Sequence, residues 1–512
     1  MPALLLAAAI GAVYLAAAPA TTDLAAQTYR ADLFDRAGFL LWDNSWYGGH
    51  HLPGYSVLFP PLGNWFGVRL VGVIALLAAT AGFHRLIRRH THGEAAAVWF
   101  ALALGAATIS GRIPFVLGTA FAIWAAVAAT TARRAPAAAL GIATAASSPV
   151  AALFLALAAA ASWLGGGTRR GASATSPVAR RDHRVRAAWL TAGATAAATT
   201  AAMVLMFPEG GSEPFVPSSF WPALAATALA FALAPRGPLR TGAALYALVL
   251  IAAFAIPSPL GGNAARLGAL LVGPLALLVL LPARRGLLVA ALLPLAWWTL
   301  YPATRDWIDA AGDPSTKAAY YAPLLTELAG RAGPADRVEI PLTARHWEAS
   351  YVADRIPIAR GWERQLDRKV NAVFYEGTLT AERYRRWLLD AAVRFVALPD
   401  AALDASAEAE ARIVRSQPQY LREVRRTAHW RLFEVRGARA TGATRISPGG
   451  FTTTGDRVVR VRFTPYWAVV RGSGCVERAP GGWTRVRSRS ATEIGLRFGV
   501  GRVFGHGARC SS

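Results

Sequence analysis

Apolar runs lie near residues 3–20, 68–84, 95–110, 115–131, 187–206, 220–234, 241–256, 266–281 and 286–301, each approaching the length a helix needs to cross a bilayer. A chain with so many such runs in its first 301 residues cannot bury them all in one water-soluble core. Composition agrees: of 512 residues, 54% are hydrophobic and 16% charged, which excludes a disordered chain. The stretch 136–164 is flanked by arginine loops on both sides and broken at Ser147-Ser148-Pro149. It reads as two short helices turning at Pro149, because a hairpin returns the chain to the face it left. The expectation is a polytopic α-helical membrane domain of about eleven helices over residues 1–301.

Charge sets the expected orientation. The net charge of +24 does not point to nucleic acid, because residues 1–301 and 302–512 each carry half of it and no basic domain stands out. Arginines gather in alternate short loops: Arg85, Arg88 and Arg89; Arg133 and Arg134; Arg169 to Arg186; Arg236 and Arg240; Arg284 and Arg285. The positive-inside rule puts those loops in the cytoplasm. The N-terminus is then inside, and everything after residue 301 is extracytoplasmic. No basic n-region precedes the first run, which favours a retained helix over a cleaved leader.

Beyond residue 301 the pattern becomes mixed and charged. Helical spacing at 318–331 and 380–390, with short strands at 337–341 and 394–398, predicts an α/β domain over 302–436. Alternation of Val459, Val461 and Phe463, and again of Ile494, Leu496, Phe498 and Val500, predicts a small β domain over 437–512, a sandwich. Cys475 and Cys510 both fall there, where an oxidising compartment would join them.

The first outside loop, residues 21–67, is far longer than a connection requires. It begins at Thr22-Asp23 and later interleaves aromatic and polar residues. Trp42, Trp46, Tyr47 and Tyr55 offer flat apolar faces, while Asp43, Asn44, His50 and His51 offer hydrogen bonds, a mixture suited to a sugar. The same mixture also describes an interfacial aromatic belt. In the outside loop PEGGSEP, Glu209 and Glu213 are alternative carboxylates.

An acidic residue just beyond the first helix, in a large first outside loop, resembles the GT-C superfamily of polytopic glycosyltransferases; Asp23 stands at that position. The segment 41–62, with its W-x(n)-W-x-G-G and P-P-L elements, is similar to that of bacterial membrane proteins named as related to 6-pyruvoyl-tetrahydropterin synthase, a name that implies no pterin chemistry here. The chain departs from the GT-C pattern in having one aspartate, not an acidic pair, at the helix exit.

What the resemblance implies is an integral plasma-membrane enzyme that moves a sugar from a polyprenyl-phosphate donor to a cell-envelope glycan or lipid on the extracytoplasmic face. Asp23 would take the proton of the attacking hydroxyl, the competing role being a helix cap. Arg266 and Arg112, scarce arginines on the outside face, would grip the leaving phosphate. Trp42, Asp43, Trp46, Tyr47, His50 and His51 would contact substrate. No cofactor is implied. A metal at His50-His51 with Asp23 or Asp43 is the weaker reading, since adjacent histidines point apart. P-loop, HExxH and CxxC patterns do not occur. A transporter, which would show paired repeats, and a non-catalytic envelope assembly protein are the alternatives.

Overall fold

The computed structural model describes residues 1–166, 177–281, 284–503 and 510; Arg169 and Arg170 of the third basic loop lie outside them. The chain forms two compact units. The first comprises Met1–Gln27, Gly54–Val204 and Ser212–Asp309, the second Thr28–Pro53, Leu205–Gly211 and Ala310–Ser512.

The first unit is helical. Its helices are α1 (Pro2–Ala17), the start of α2 (Thr22–Ala37), α3 (Phe59–Phe66), α4 (Val68–Ile87), α5 (Gly93–Ile109), α6 (Ile113–Thr130), α7 (Arg134–Ser147), α8 (Pro149–Gly165), α9 (Pro177–Met206), α10 (Pro217–Leu233), α11 (Pro238–Ala255), α12 (Arg266–Leu280) and most of α13 (Arg285–Ala311). Every apolar run becomes a helix. The hairpin at Pro149 forms as its residues dictate: the Ser148 hydroxyl accepts from the Ala151 amide at 3.4 Å, and Pro149 takes the first helical position, where its missing donor costs nothing.

Alanine is the packing residue. Ala125, Ala128, Ala137, Ala145, Ala152, Ala192 and Ala196 share one buried cluster, small side chains letting helix backbones approach closely. Bulky apolar residues such as Trp221, Leu248, Leu293 and Trp297 face outward, the reverse of a water-soluble bundle. Among the described residues six helices are long and apolar enough to cross a membrane, seven if α1 and α2, bent by 76°, count as one span. Helices α5, α8 and α10 have 17 residues and α7 has 14. At about 1.5 Å per residue, 17 residues reach roughly 25 Å, short of a hydrocarbon core of about 30 Å.

Among its described residues the second unit holds four small sheets. Strand β1 (Trp42–Asp43) pairs antiparallel with β2 (His50–His51), Trp42 opposite His51. The turn between them needs Gly49: at φ 133°, a Cβ there would lie 2.4 Å from the Trp42 ring. A mixed sheet runs in the order β3 (Val338–Glu339), β4 (Phe395–Pro399), β6 (Trp430–Val435) and β5 (Leu421–Arg426), with β3 and β4 parallel. Helix Ala381–Asp390 covers it through Tyr384 and Leu388.

Two antiparallel sheets follow. One has the order β10 (Trp467–Arg471), β13 (Ala491–Leu496), β8 (Gly450–Thr454) and β7 (Arg445–Ser447). The other has the order β11 (Cys475–Arg478), β12 (Trp483–Arg487) and β9 (Arg457–Arg462). Their inner residues Phe451, Val459, Val461, Val476, Val486 and Ile494 form one core with Trp42, the packing of a sandwich. The expected alternation through Phe498 and Val500 stops early. Strand β10 begins at Trp467, opposite Leu496, and after one more bond, from the Arg497 amide to the Tyr466 carbonyl, the pairing stops; Phe498 is exposed, and Val500 begins the one-turn helix Val500–Val503. Cys475 and Cys510 are joined by a disulfide with their Cα atoms 5.1 Å apart.

Candidate functional site

The residues expected at the site fall into two groups, one in each unit. In the first unit, Asp23 lies in the first turn of α2, where a carboxylate suits the positive end of the helix dipole. The turn after α5 brings its partner. Gly111, at φ 79°, packs so closely on that first turn that a Cβ would sit 2.5 Å from the Leu24 amide nitrogen. Arg112 follows at once, and its Nε donates to Asp23 Oδ2 at 3.1 Å. Among the described residues no hydrogen bond is made to the other oxygen, Oδ1. Thr21 fixes the same junction by donating its hydroxyl to the Ile109 carbonyl at 2.9 Å.

Arg266 begins α12. That start is pinned by Tyr246, whose hydroxyl donates to the Ala264 carbonyl at 2.8 Å and accepts from the Gly268 amide at 2.9 Å. The Arg266 guanidinium lies over the Phe115 ring, 5.4 Å from its centre, and Arg112, Asp23, Tyr55 and Glu213 act on it electrostatically. Arg112 and Phe115 are three residues apart at the start of α6, so one helix end gathers both arginines. The expected carboxylate Asp23, the arginines Arg112 and Arg266 and the alternative carboxylate Glu213 thus belong to one electrostatic group.

Gln27 was not expected there. It is buried one turn beyond Asp23, its Nε2 donates to the Tyr55 hydroxyl at 2.9 Å, and among the described residues its Oε1 has no hydrogen-bond partner. The i, i+4 spacing from Asp23 to Gln27 puts both on one helix face and is the sequence signal that identifies it.

The second group is an interior. Trp42 packs in the sandwich core and donates its Nε1 to Asn44 Oδ1 at 2.8 Å. Trp46 is fully buried and donates to the Ala349 carbonyl at 2.9 Å; Tyr47, at φ 60°, donates its hydroxyl to the Glu363 carbonyl at 3.1 Å. Asp43 accepts from the Tyr29 hydroxyl at 2.7 Å and from the Ser45 amide at 3.0 Å, and burial pushes its carboxyl above the usual range. His50 stacks on Trp46 with ring centres 5.2 Å apart. Burial, then the charges of Arg30 and His51, lower its pKa to about 3. Arg30 itself pairs with Glu363.

His51 lies between two polar groups: its Nδ1 is 2.8 Å from Glu209 Oε1, and its Nε2 meets Thr464 Oγ1 at 3.1 Å. The carboxylate, imidazole and hydroxyl are in the order a hydrolase uses. Thr464 is nevertheless fully buried, and the His51–Glu209 contact fastens the Leu205–Gly211 segment into its unit. In this conformation Trp42, Trp46, Tyr47, His50 and His51 present almost no surface to solvent.

The second unit also holds a buried ionic cluster. Arg360 pairs with Asp367 at 2.6 Å and Glu410 at 3.3 Å, while Tyr384 donates to Glu410 at 2.8 Å and Tyr375 to Asp367 at 2.7 Å. Burial and the neighbouring Glu410 push the Glu339 carboxyl well above the usual range. Among the described residues no group of three His, Cys, Asp or Glu side chains is placed to hold a metal ion. No protein-family model matches the chain, and no curated protein matches it significantly.

Proposed function

We propose that the protein is a membrane glycosyltransferase that moves a sugar from a polyprenyl-phosphate donor to an envelope glycan or lipid outside the plasma membrane. The observation that carries this reading is the group formed by Asp23, Arg112 and Arg266: a carboxylate held at 3.1 Å by one guanidinium, with a second guanidinium in the same field. The reaction needs both kinds of group. An acceptor hydroxyl attacks C1 of the sugar and gives its proton to Asp23, while the bond from C1 to the phosphate oxygen breaks and the phosphate leaves with the electron pair. A planar guanidinium suits that developing charge because it donates two parallel hydrogen bonds.

Topology belongs to the same proposal: eleven membrane helices, arginine loops in the cytoplasm and the C-terminal region outside. The joined Cys475 and Cys510 support this arrangement, because disulfides persist in oxidising compartments. A non-catalytic protein would keep the Asp23–Arg112 pair as a structural tie, and kinetics separates the two. Purified protein supplied with a polyprenyl-phosphate sugar and an envelope acceptor is expected to release polyprenyl phosphate in step with glycan formation. Arg266→Lys is expected to raise the donor KM by roughly tenfold and to leave the acceptor KM nearly unchanged, since a point charge replaces a planar fork. Equal effects on both substrates would count against a phosphate role for Arg266.

A further inference from the structure

The two halves of the chain carry equal charge, but the second half does not spread its share evenly. Residues 302–436 hold 21 Lys and Arg against 19 Asp and Glu, while residues 437–512, which form the sandwich, hold 13 against 3. Basic residues are about equally dense in the two stretches, so the difference lies in the missing acids. A compositional habit of the whole chain would show in both; this shortage shows in one. The sandwich is the basic domain that halving the chain conceals.

Within the sandwich the excess falls on one sheet. Strands β9, β11 and β12 carry Arg457, Arg460, Arg462, Arg478, Arg485 and Arg487, with Glu477 as their one acid. The four strands of the other sheet carry Arg445, Arg471 and Glu493. Val459, Val461, Val476 and Val486 point into the core, so strand alternation turns Arg460, Arg462, Arg485 and Arg487 to the outer face. Arg462 is half-buried there, its guanidinium 4.8 Å from the centre of the Trp483 ring, while Arg485 and Arg487 are 42% and 46% exposed. Arg457 and Arg478, at strand ends, are exposed as well.

The chain's own carboxylates do not neutralise this face. Asp456 pairs with Arg485 at 3.0 Å, Glu477 with Arg487 at 2.9 Å, and Asp390, at the end of helix Ala381–Asp390, with Arg460 at 3.0 Å. Among the described residues Arg457, Arg462 and Arg478 make no ion pair; Arg462 donates to the Tyr47 carbonyl and Arg478 lies over the Phe463 ring. Exposed pairs are weak, so the engaged guanidiniums can also exchange a carboxylate for a ligand's anion. Outward residues on one strand are about 7 Å apart and neighbouring strands about 5 Å, which spaces the cations as a grid. A grid matches an anion repeated along a polymer, and an arginine fork takes carboxylate and phosphate alike. A lipid surface fits less well. Docking on a membrane needs apolar area beside the charge, and of the large apolar residues in these three strands only Val458 is exposed.

We propose that the outer face of this sheet binds an acidic envelope glycan, a polymer bearing carboxylate or phosphate on successive units. The word envelope rests on the proposed placement outside the membrane. The cationic face itself depends neither on that placement nor on the transferase reading.

The test uses the full chain in phosphatidylcholine nanodiscs with polygalacturonate, polyglycerol phosphate and, as the neutral polymer, dextran. An acidic polymer is expected to bind, with affinity falling as salt rises, and dextran is not; which of the two acidic polymers binds more tightly identifies the anion. Arg457→Gln, Arg478→Gln and Arg487→Gln combined should weaken binding about tenfold. Arg439→Gln, Arg445→Gln and Arg497→Gln combined remove the same charge from exposed positions off this sheet and should change it less than about twofold. In the unsubstituted protein, bound polymer should shield Arg457, Arg478, Arg485 and Arg487 from phenylglyoxal and leave Arg439 and Arg445 reactive, read by peptide mass spectrometry, a result that does not depend on a variant folding. Binding of neither acidic polymer, equal losses in the two triple variants, or shielding spread evenly over all these arginines would overturn the assignment. So would phosphatidylglycerol vesicles that displace the polymer at matched charge, which would make the face a membrane contact. Binding as expected from a protein that shows no transfer would sustain the face and count against the transferase reading; transfer without binding would do the reverse.

Discussion

The aromatic and polar residues after Asp23 show how one side-chain pattern serves two purposes. Trp46 stacks on His50 and is fully buried, although the sequence pattern that predicts a sugar platform is fully present. A ring face needs a partner, and local sequence does not say whether that partner is a ligand or a distant part of the chain. Arg360 is likewise satisfied from within the chain, tied to Asp367 and Glu410 in the interior. Asp23 and Arg112 were legible because a lone carboxylate and a scarce arginine stand out in an apolar domain; their contact was not, being 89 residues apart in the chain.

His50 gives this interior a pH signature. Its pKa is lowered to about 3 in the folded chain, against about 6.5 when unfolded, so the unfolded state binds the extra proton between those values. The stability it contributes is complete above pH about 6.5 and is lost as pH falls toward 3, at up to about 1.4 kcal/mol per pH unit. Thermal unfolding in detergent should show this slope in the parent protein. His50→Phe, which retains a ring against Trp46 without titrating, should flatten it; an unchanged slope would mean that His50 is not what senses acid.

At the scale of elements, regular structure is legible in the sequence wherever periodicity is local. The helices at the apolar runs, the turn at Pro149 and the strands around Val459 and Ile494 follow from side-chain alternation and proline geometry. Pairing between remote segments was not legible. Residues 28–53 and 205–211 join the second unit through Trp42 in its sandwich core and the His51–Glu209 contact, neither of which has a local signature. The disulfide ties β11 to Cys510 across a separation of 35 residues. Closing a loop of that size contributes roughly 3–4 kcal/mol by restricting the unfolded chain. Cys475→Ser should therefore lower the unfolding midpoint of the second unit and free one thiol. Two free thiols in the oxidised parent protein would contradict the pairing.

For the whole molecule, helix number and orientation are the proposals that bear on function, because a transferase acting outside needs its site on that face. A reporter fused after Ser512 should be active only outside, and one inserted after Arg170 only in the cytoplasm; the reverse at either position would refute the eleven-helix arrangement. The proposed transfer chemistry turns on Asp23. Its most direct measurement is the single-turnover transfer rate of Asp23→Asn with saturating polyprenyl-phosphate sugar and acceptor, alongside its unfolding midpoint. Asparagine keeps the size of aspartate and its fitness for a helix start, so folding should change little, while loss of the base should slow transfer by roughly 10²–10⁴-fold. Transfer at the parental rate would contradict the account and leave the Asp23–Arg112 pair a structural tie.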